Sequence, residues 1–228
     1  MYLHRIFLDA RCREARRDLA EPYELHSTLC RAFSSRDTKC PQGEFLWRME
    51  PENMTVGSPR ILIQSRSLPD WSRIGIKGWL KREPDPAIDI DERLGLGAIR
   101  SGQKFRFRLR ANPSVCRGGK RLGLMKTPEQ EKWLFRKGKD YHGFDLPSLK
   151  RVDDEEEGQV LRLGVAISQE QILRSKKRGN DHEICVFSVL YDGTLIVSDP
   201  EKFRSAVLGG IGHGKAMGLG LLSVASAG

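Results

Sequence analysis

Tyr23 and His26 stand three positions apart in PYELHSTLCRAF (22–33). On a helix that spacing sets both side chains on one side, about 60° apart around the axis. An imidazole with an unperturbed pKa of about 6.5 suits proton transfer at neutral pH, and a phenol beside it is placed to orient or assist that transfer. Leu25, Leu29, Ala32 and Phe33 form the apolar stripe of the same helix; His26 flanks it and Tyr23 points away from it. The pattern leaves two readings of His26, a proton-transfer group or an incidental neighbour of the stripe. The other histidines, His4, His142, His182 and His213, show no metal-ligand spacing. Nor is there an HExxH run, a GxSxG turn or a catalytic-cysteine context.

A second concentration of chemistry is GGIGHGKAMGLG (209–220), with six glycines in twelve residues. Glycine lets backbone amides approach a phosphate closely. Gly209, Gly214 and Lys215 match the spacing of a nucleotide-binding P-loop, but Ala216 replaces the hydroxyl residue that would hold magnesium. The order is also wrong, since here a helix precedes the loop and a strand follows. Nucleoside triphosphate hydrolysis is therefore set aside. Two readings remain: Gly209, Gly210, Gly212, Gly214 and Lys215 hold phosphates of a polynucleotide backbone, or the loop is a tight turn before a buried strand.

Charge points the same way. Between Glu92 and Glu129 lie 36 residues without an acid, holding ten basic ones: Arg93, Arg100, Lys104, Arg106, Arg108, Arg110, Arg117, Lys120, Arg121 and Lys126. Like charges held together repel unless an anion compensates them, so this stripe reads as a nucleic-acid phosphate surface, with a plain solvated face as the alternative. RSKKRGND (174–181) adds Arg174, Lys176, Lys177 and Arg178 between two strands. That loop either enters a groove or is simply exposed.

Regular elements must position these groups. YLHRIFLD (2–9) reads as a strand and the basic stretch from Arg11 as a connector; Pro22 opens a helix, as proline suits a first helical position. GEFLWRME (43–50) and RILIQSRS (60–67) read as strands. Residues 68–100, with Pro69, Pro84 and Pro86, read as irregular with a weak strand near the end. In KFRFRLRAN (104–112), Phe105, Phe107 and Leu109 share one face and Arg106, Arg108 and Arg110 the other, a strict period of two. Thr127 as N-cap and Pro128 open a helix that ends near Lys137, before Gly138. An acidic loop (153–158), strands at 159–167, 183–190 and 194–199, a short helix from Asp199 and Pro200, and a buried strand at 219–225 complete the chain. Each half approximates strand–helix–strand–strand–helix–strand, the first without a convincing second helix. The expected class is α+β, with two tandem ferredoxin-like domains of antiparallel sheet at 1–95 and 103–228. One larger α+β domain is the alternative.

The 228 residues are 39 % hydrophobic and 30 % charged, enough for a packed core. The net charge of +9 favours an acidic partner, nucleic acid before membrane. The longest uncharged run, 216–228, has thirteen residues, short of the roughly 18–20 that cross a bilayer. The N-terminus is unlike a secretory signal, and five scattered cysteines form no CxxC pair. Disulfides and structural zinc are not expected, and a reducing cytoplasm is the expected location.

MYL at the start, YELHSTLCRAF (23–33), FRFRLRANPS (105–114), GKRLGL (119–124), WLFRKG (133–138) and above all GGIGHGKAMGLGLLSVA (209–225) together resemble the CRISPR repeat-processing endoribonuclease family CasE, a subunit of the type I-E Cascade complex. The resemblance spans almost the whole chain. It implies two ferredoxin-like domains and a prokaryotic protein that cuts precursor RNA at the base of each repeat hairpin without metal or other cofactor. It also implies that the product is retained. By motif, the catalytic histidine maps onto His26, a neighbouring tyrosine onto Tyr23, the glycine loop onto 209–220 and a basic hairpin onto 174–178. Arg31, near the helix end, is a further phosphate candidate, although helical geometry turns it away from His26. The implied partners are the CRISPR repeat RNA hairpin and other Cascade subunits, with no membrane. The expected reaction is attack by a ribose 2′-hydroxyl, leaving a 2′,3′-cyclic phosphate and a 5′-hydroxyl. The rival classes are a non-catalytic RNA-binding assembly subunit and a metal-dependent nuclease, the latter lacking a readable Asp/Glu/His motif.

Overall fold

A computed structural model describes residues 1–35, 38–51, 57–154, 158–176 and 183–227, with the side chains at 149–154, 158–163, 176 and 183 outside the description. The first half contains β1 (Tyr2–Phe7), α1 (Arg13–Ala20), α2 (Pro22–Ala32), β2 (Phe45–Met49), β3 (Arg60–Ser65), β4 (Ile88–Asp89) and α3 (Ile90–Leu94). Its antiparallel sheet has the order β2-β3-β1-β4, the ferredoxin-like arrangement. Pro22 stands in the first turn of α2, and Leu25, Leu29 and Ala32 are buried beneath it.

Helix α1 replaces the expected connector. Its stretch REARRDLA carries five charged residues, and its apolar stripe is reduced to Ala15 and Leu19, which pack on the core with Cys12 before them. A polar contact adds to them: the buried Asp18 carboxylate accepts from Trp79 Nε1 at 2.8 Å and from Arg17 Nε at 2.9 Å. Between β3 and β4, where a second helix would belong, stands a 3-10 turn (Trp71–Ile74), its Asp70 cap accepting from the Ser72 N–H at 3.1 Å.

The second half contains β5 (Lys104–Ala111), β6 (Ser114–Arg117), β7 (Lys120–Gly123), α4 (Thr127–Arg136), β8 (Phe144–Asp145), β9 (Ser148–Asp154), β10 (Gly158–Leu163), β11 (Val165–Lys176), β12 (Glu183–Val197), α5 (Pro200–Gly209) and β13 (Leu222–Ser226). The order β11-β12-β5-β13 repeats the topology of the first half, so the chain is α+β with two ferredoxin-like sheets. Several expectations need correction. Thr127 is the first helical residue rather than the cap; Lys126 takes that position without a side-chain bond. Gly138 does not end α4, which continues as a π-helical turn (Lys137–His142) until Gly143 at φ 64°. Gly138 is required for another reason: a Cβ there would lie 2.5 Å from the Phe144 ring. The strand expected at 159–167 breaks at Gly164, because β10 pairs with β9 and β11 with β12. Strand β12 runs unbroken for 15 residues, joining the two strands expected there. The closing strand starts at Leu222 and is exposed by Ala225, so it is buried only at its beginning.

Phe105, Phe107 and Leu109 pack with Trp133, Leu134, Phe203 and Val207 in one core; Ile90, Leu96 and Ile99 of the connecting segment join it. A second core gathers Ile6, Leu25, Leu29, Trp47, Ile61, Ile63 and Trp79. The seam between the halves is polar. Arg48, 1 % exposed, donates from Nη1 to the Arg108 and Leu221 carbonyls at 3.0 and 3.1 Å and from Nη2 to Ser223 Oγ at 3.0 Å. Its Nε donates to Glu50 at 2.7 Å. Arg108 donates to Glu50 at 3.0 Å and to both Asp192 oxygens at 2.7 and 3.1 Å. Burial pushes the Glu50 carboxyl up, but Arg48 and Arg108 outweigh it and hold the group below the usual carboxylate range. Gln64 adds a bond from Nε2 to the Val207 carbonyl at 2.7 Å.

Arg48→Ala would remove one of the two arginines that hold the largely buried Glu50 carboxylate and take this donor from the Arg108 and Leu221 carbonyls, so it should lower unfolding stability by about 3–5 kcal/mol. A urea titration checks this; a loss under about 1 kcal/mol, the size of a surface pair, would show that the seam does not depend on Arg48.

Candidate active site

Helix α2 carries Tyr23 and His26 with their rings 6.4 Å apart. The imidazole is half-buried, with its ring centroid 5.0 Å from that of Phe45 and its Nε2 3.8 Å from Cys30 Sγ. Its Nδ1 is buried without a hydrogen-bond partner. Burial lowers the His26 pKa from its ordinary value, so the ring is neutral at pH 7 and able to accept a proton. Burial also pushes the neighbouring Cys30 thiol up, keeping it protonated.

The fold brings two distant segments onto this helix. The Tyr23 backbone N–H donates to Ser175 Oγ at 3.3 Å, and Ser175 donates to Glu21 at 3.0 Å, tying the start of α2 to β11. The 3-10 turn of the glycine loop (Lys215–Met217) packs against α2 and β2. A cleft of about 740 Å³ opens where these elements meet, with Pro22, Trp47, Arg110, Gln169, Arg174 and Met217 on its walls.

The glycine loop has its shape because little else fits. A Cβ at Gly210 would lie 2.7 Å from the Gly220 carbonyl oxygen, and one at Gly218 would lie 2.7 Å from the Trp47 ring. Ile211 and Gly220 bond across its base at 2.8 Å, and Leu219 N–H reaches back to the Gly214 carbonyl. Lys215 Nζ donates to the Gly209 carbonyl at 2.6 Å, bracing the loop. Among the described residues, the backbone N–H groups of Gly212 to Lys215 donate to no other group, leaving successive amides open at the tip. Such a run is a ready anion cradle.

The arginine stripe of β5 divides. Arg106 is exposed. Arg108 is engaged by Asp192 and Glu50. Arg110 is buried, held by Gln169 Oε1 and by Ser188 Oγ at 3.4 Å. The period of two placed all three on one face correctly, but the face covers the seam for part of its length. The residues around Gly118 and Gly119 form the β6–β7 hairpin, with both glycines at positive φ as a two-residue hairpin turn requires. It presents Arg117, Lys120 and Arg121 to solvent, and Lys126 follows, also exposed. Arg174 is exposed on β11. Lys176 is the last residue of β11, its side chain undescribed, while Lys177 and Arg178 lie outside the described residues. The basic cluster thus begins inside a strand rather than in a loop. Arg31 is exposed and donates to the Ile74 carbonyl at 3.3 Å, about 140° around α2 from His26, so it is turned away from the imidazole as helical geometry predicted.

The sequence reading missed Ser175, 152 positions from Tyr23, and Phe45 beneath the imidazole; neither belongs to a local pattern. Among the described residues no three His, Cys, Asp or Glu side chains gather closely enough to hold a metal ion, and no helix is long and apolar enough to cross a membrane.

The model of the CRISPR associated protein family matches residues 1–226. The CRISPR-associated endoribonuclease Cse3 of Thermus thermophilus is 36 % identical over 231 aligned positions, covering 99 % of this chain and 100 % of that relative. The Cascade subunit CasE of Escherichia coli is 27 % identical, with 99 % of each chain covered. A solved structure of Thermus thermophilus Cse3, bound to an RNA representing a pre-cleavage complex, superposes with a TM-score of 0.77 at 36 % identity over 98 % of each chain. With its two ferredoxin-like sheets and these full-length matches, the chain belongs to the CRISPR-associated protein family, beside Cse3 and CasE.

Proposed function

We propose that this protein is an endoribonuclease that cuts CRISPR precursor RNA at the base of the repeat hairpin and keeps the product as a guide for a Cascade complex. The observation that carries this reading is the meeting of a neutral His26, Tyr23 beside it and the glycine-loop turn on one helix. The 36 % identity to an endoribonuclease over its full length supports the same reaction class.

The nucleophile is already in the substrate. The 2′-hydroxyl of the nucleotide before the scissile bond attacks the adjacent phosphorus; the P–O2′ bond forms and the P–O5′ bond breaks. His26 accepts the 2′-hydroxyl proton, and Tyr23 orients or assists it. The leaving 5′-oxygen takes up a proton, giving a 5′-hydroxyl and a 2′,3′-cyclic phosphate. This route needs positioning, a base and relief of the negative charge developing on the phosphoryl oxygens, and it needs no metal. The open amides of the glycine loop and nearby basic side chains supply that relief. Arg106, the β6–β7 hairpin with Arg117, Lys120 and Arg121, Lys126 and the 174–178 segment hold the stem through its phosphates. A-form RNA hides its bases in a deep, narrow groove, so phosphate contacts dominate.

His26→Ala should slow cleavage by about 10²–10⁴ while hairpin affinity stays within a few-fold, and Tyr23→Phe should cost less. Single-turnover rates decide this: near-wild-type cleavage by His26→Ala removes it from the mechanism. Because the base acts neutral and its pKa lies below the ordinary value, the wild-type rate should hold level through neutral pH and fall only on acidification below about 6.5.

A 2′-deoxy sugar at the nucleotide before the scissile bond should block cutting and leave binding intact. Normal cleavage of that RNA would make water the nucleophile.

A further inference from the structure

We propose that Lys137, His142 and His213, with Arg121, Arg136 and Lys215, form a phosphate site whose two histidines take up protons as the RNA backbone binds. The proposal rests on the reading of this face as an RNA surface, and adds to it both new residues and a proton-coupled affinity.

Four elements contribute. Arg121 comes from β7, Arg136 from the end of α4, Lys137 and His142 from the π-helical turn, and His213 and Lys215 from the glycine loop. No sequence motif joins them. They are held on a firm frame. A Cβ at Gly212 would lie 3.6 Å from the Trp133 ring, so the loop rests on α4, and Trp133 itself stacks on Tyr191 with centroids 6.2 Å apart. The turn ends at Gly143, where a Cβ would come within 2.9 Å of the Asp199 and Lys202 side chains, so α5 closes it from behind.

The charges are one-sided. Apart from burial, the groups acting on His213 are Arg121, Lys137 and Lys215, and those acting on His142 are Lys137 and Lys215. Burial and then Arg136 and Arg121 act on Lys137. No carboxylate is among the groups acting on these three; Asp140, in the same turn, is exposed, and Lys137 Nζ lies 4.7 Å from the centre of the Tyr141 ring. On the α5 side, Lys202 and Asp199 pair with each other at 3.3 Å. Cations grouped in this way repel one another, and an anion relieves that repulsion. The open amides of Gly212 to Lys215 lie in the same loop.

The sign follows. In the free protein both histidines titrate below their ordinary value, so both are neutral at pH 7. A bound phosphate favours the charged form and raises both. Binding then takes up protons, and affinity tightens as pH falls below neutral, with a limit of one proton per histidine.

The test uses a repeat hairpin made uncleavable by a 2′-deoxy sugar at the cutting position, titrated at constant ionic strength from about pH 8 to about pH 5.5. Wild type should gain roughly tenfold or more in affinity, and the His142→Gln/His213→Asn double variant less than about threefold. His213 is exposed, so His213→Asn tests the coupling without disturbing packing and should remove a clear part of the gain. The RNA and His26 titrate alike in all three proteins, so the difference belongs to the two histidines. Lys137→Met should weaken binding at every pH and reduce the salt slope by about 0.7–0.9. Equal pH gains in all three proteins overturn the proton coupling while leaving the RNA surface standing. A wild type that binds the hairpin at no pH overturns the RNA reading itself.

Discussion

The buried guanidinium of Arg48 fixes how the two halves of this molecule meet. A charge removed from water is tolerated only when paired and fully hydrogen-bonded. Arg48 meets that demand with groups from both sheets: Glu50 from its own half, the Arg108 and Leu221 carbonyls and Ser223 from the other. Glu50 in turn engages Arg108, which engages Asp192. Hydrogen bonds of this kind have direction, so they set a relative placement that apolar packing alone would leave free to slide. The residue before Arg48, Trp47, lies against Gly218 of the glycine loop. The position of that loop on α2 is thus set beside the same strand that locks the seam.

In the proposed reaction each half would supply a different part. The first half contributes the imidazole, made neutral by burial against Phe45 and Cys30. The second contributes the open amides, the basic hairpin and the bond from Ser175 that steadies the start of α2. An RNA held by phosphates on one half would present its scissile bond to a base on the other. The same division accounts for Arg108 and Arg110. They share a strand face with Arg106, but the seam engages Arg108 and Arg110 is buried, so Arg106 is the one of the three left fully exposed.

Much of this was legible in the sequence where local rules decide. Proline at a first helical position marked α2 and α5, and alternation marked β5. Helix α1 was not legible, because its apolar stripe is only Ala15 and Leu19 and the rest of its buried face is an aspartate bonded to Trp79, 61 positions away. The break at Gly164 was hidden because both sides of it are strand-forming; only the choice of different partners separates them. Tyr23 and His26 could be named from their spacing, whereas the neutrality of His26 and the cation cluster around His213 depend on elements that meet only in the fold.

The central claim is that the RNA supplies its own nucleophile and the protein supplies base, shape and charge. Product ends record this directly. The repeat hairpin is incubated with the purified protein in excess EDTA, and the masses of both fragments are measured. Attack by the 2′-hydroxyl predicts an upstream fragment ending in a 2′,3′-cyclic phosphate and a downstream fragment beginning with a 5′-hydroxyl, formed without added metal. A 3′-hydroxyl with a 5′-phosphate, or cleavage that begins only when a divalent cation is restored, would contradict it.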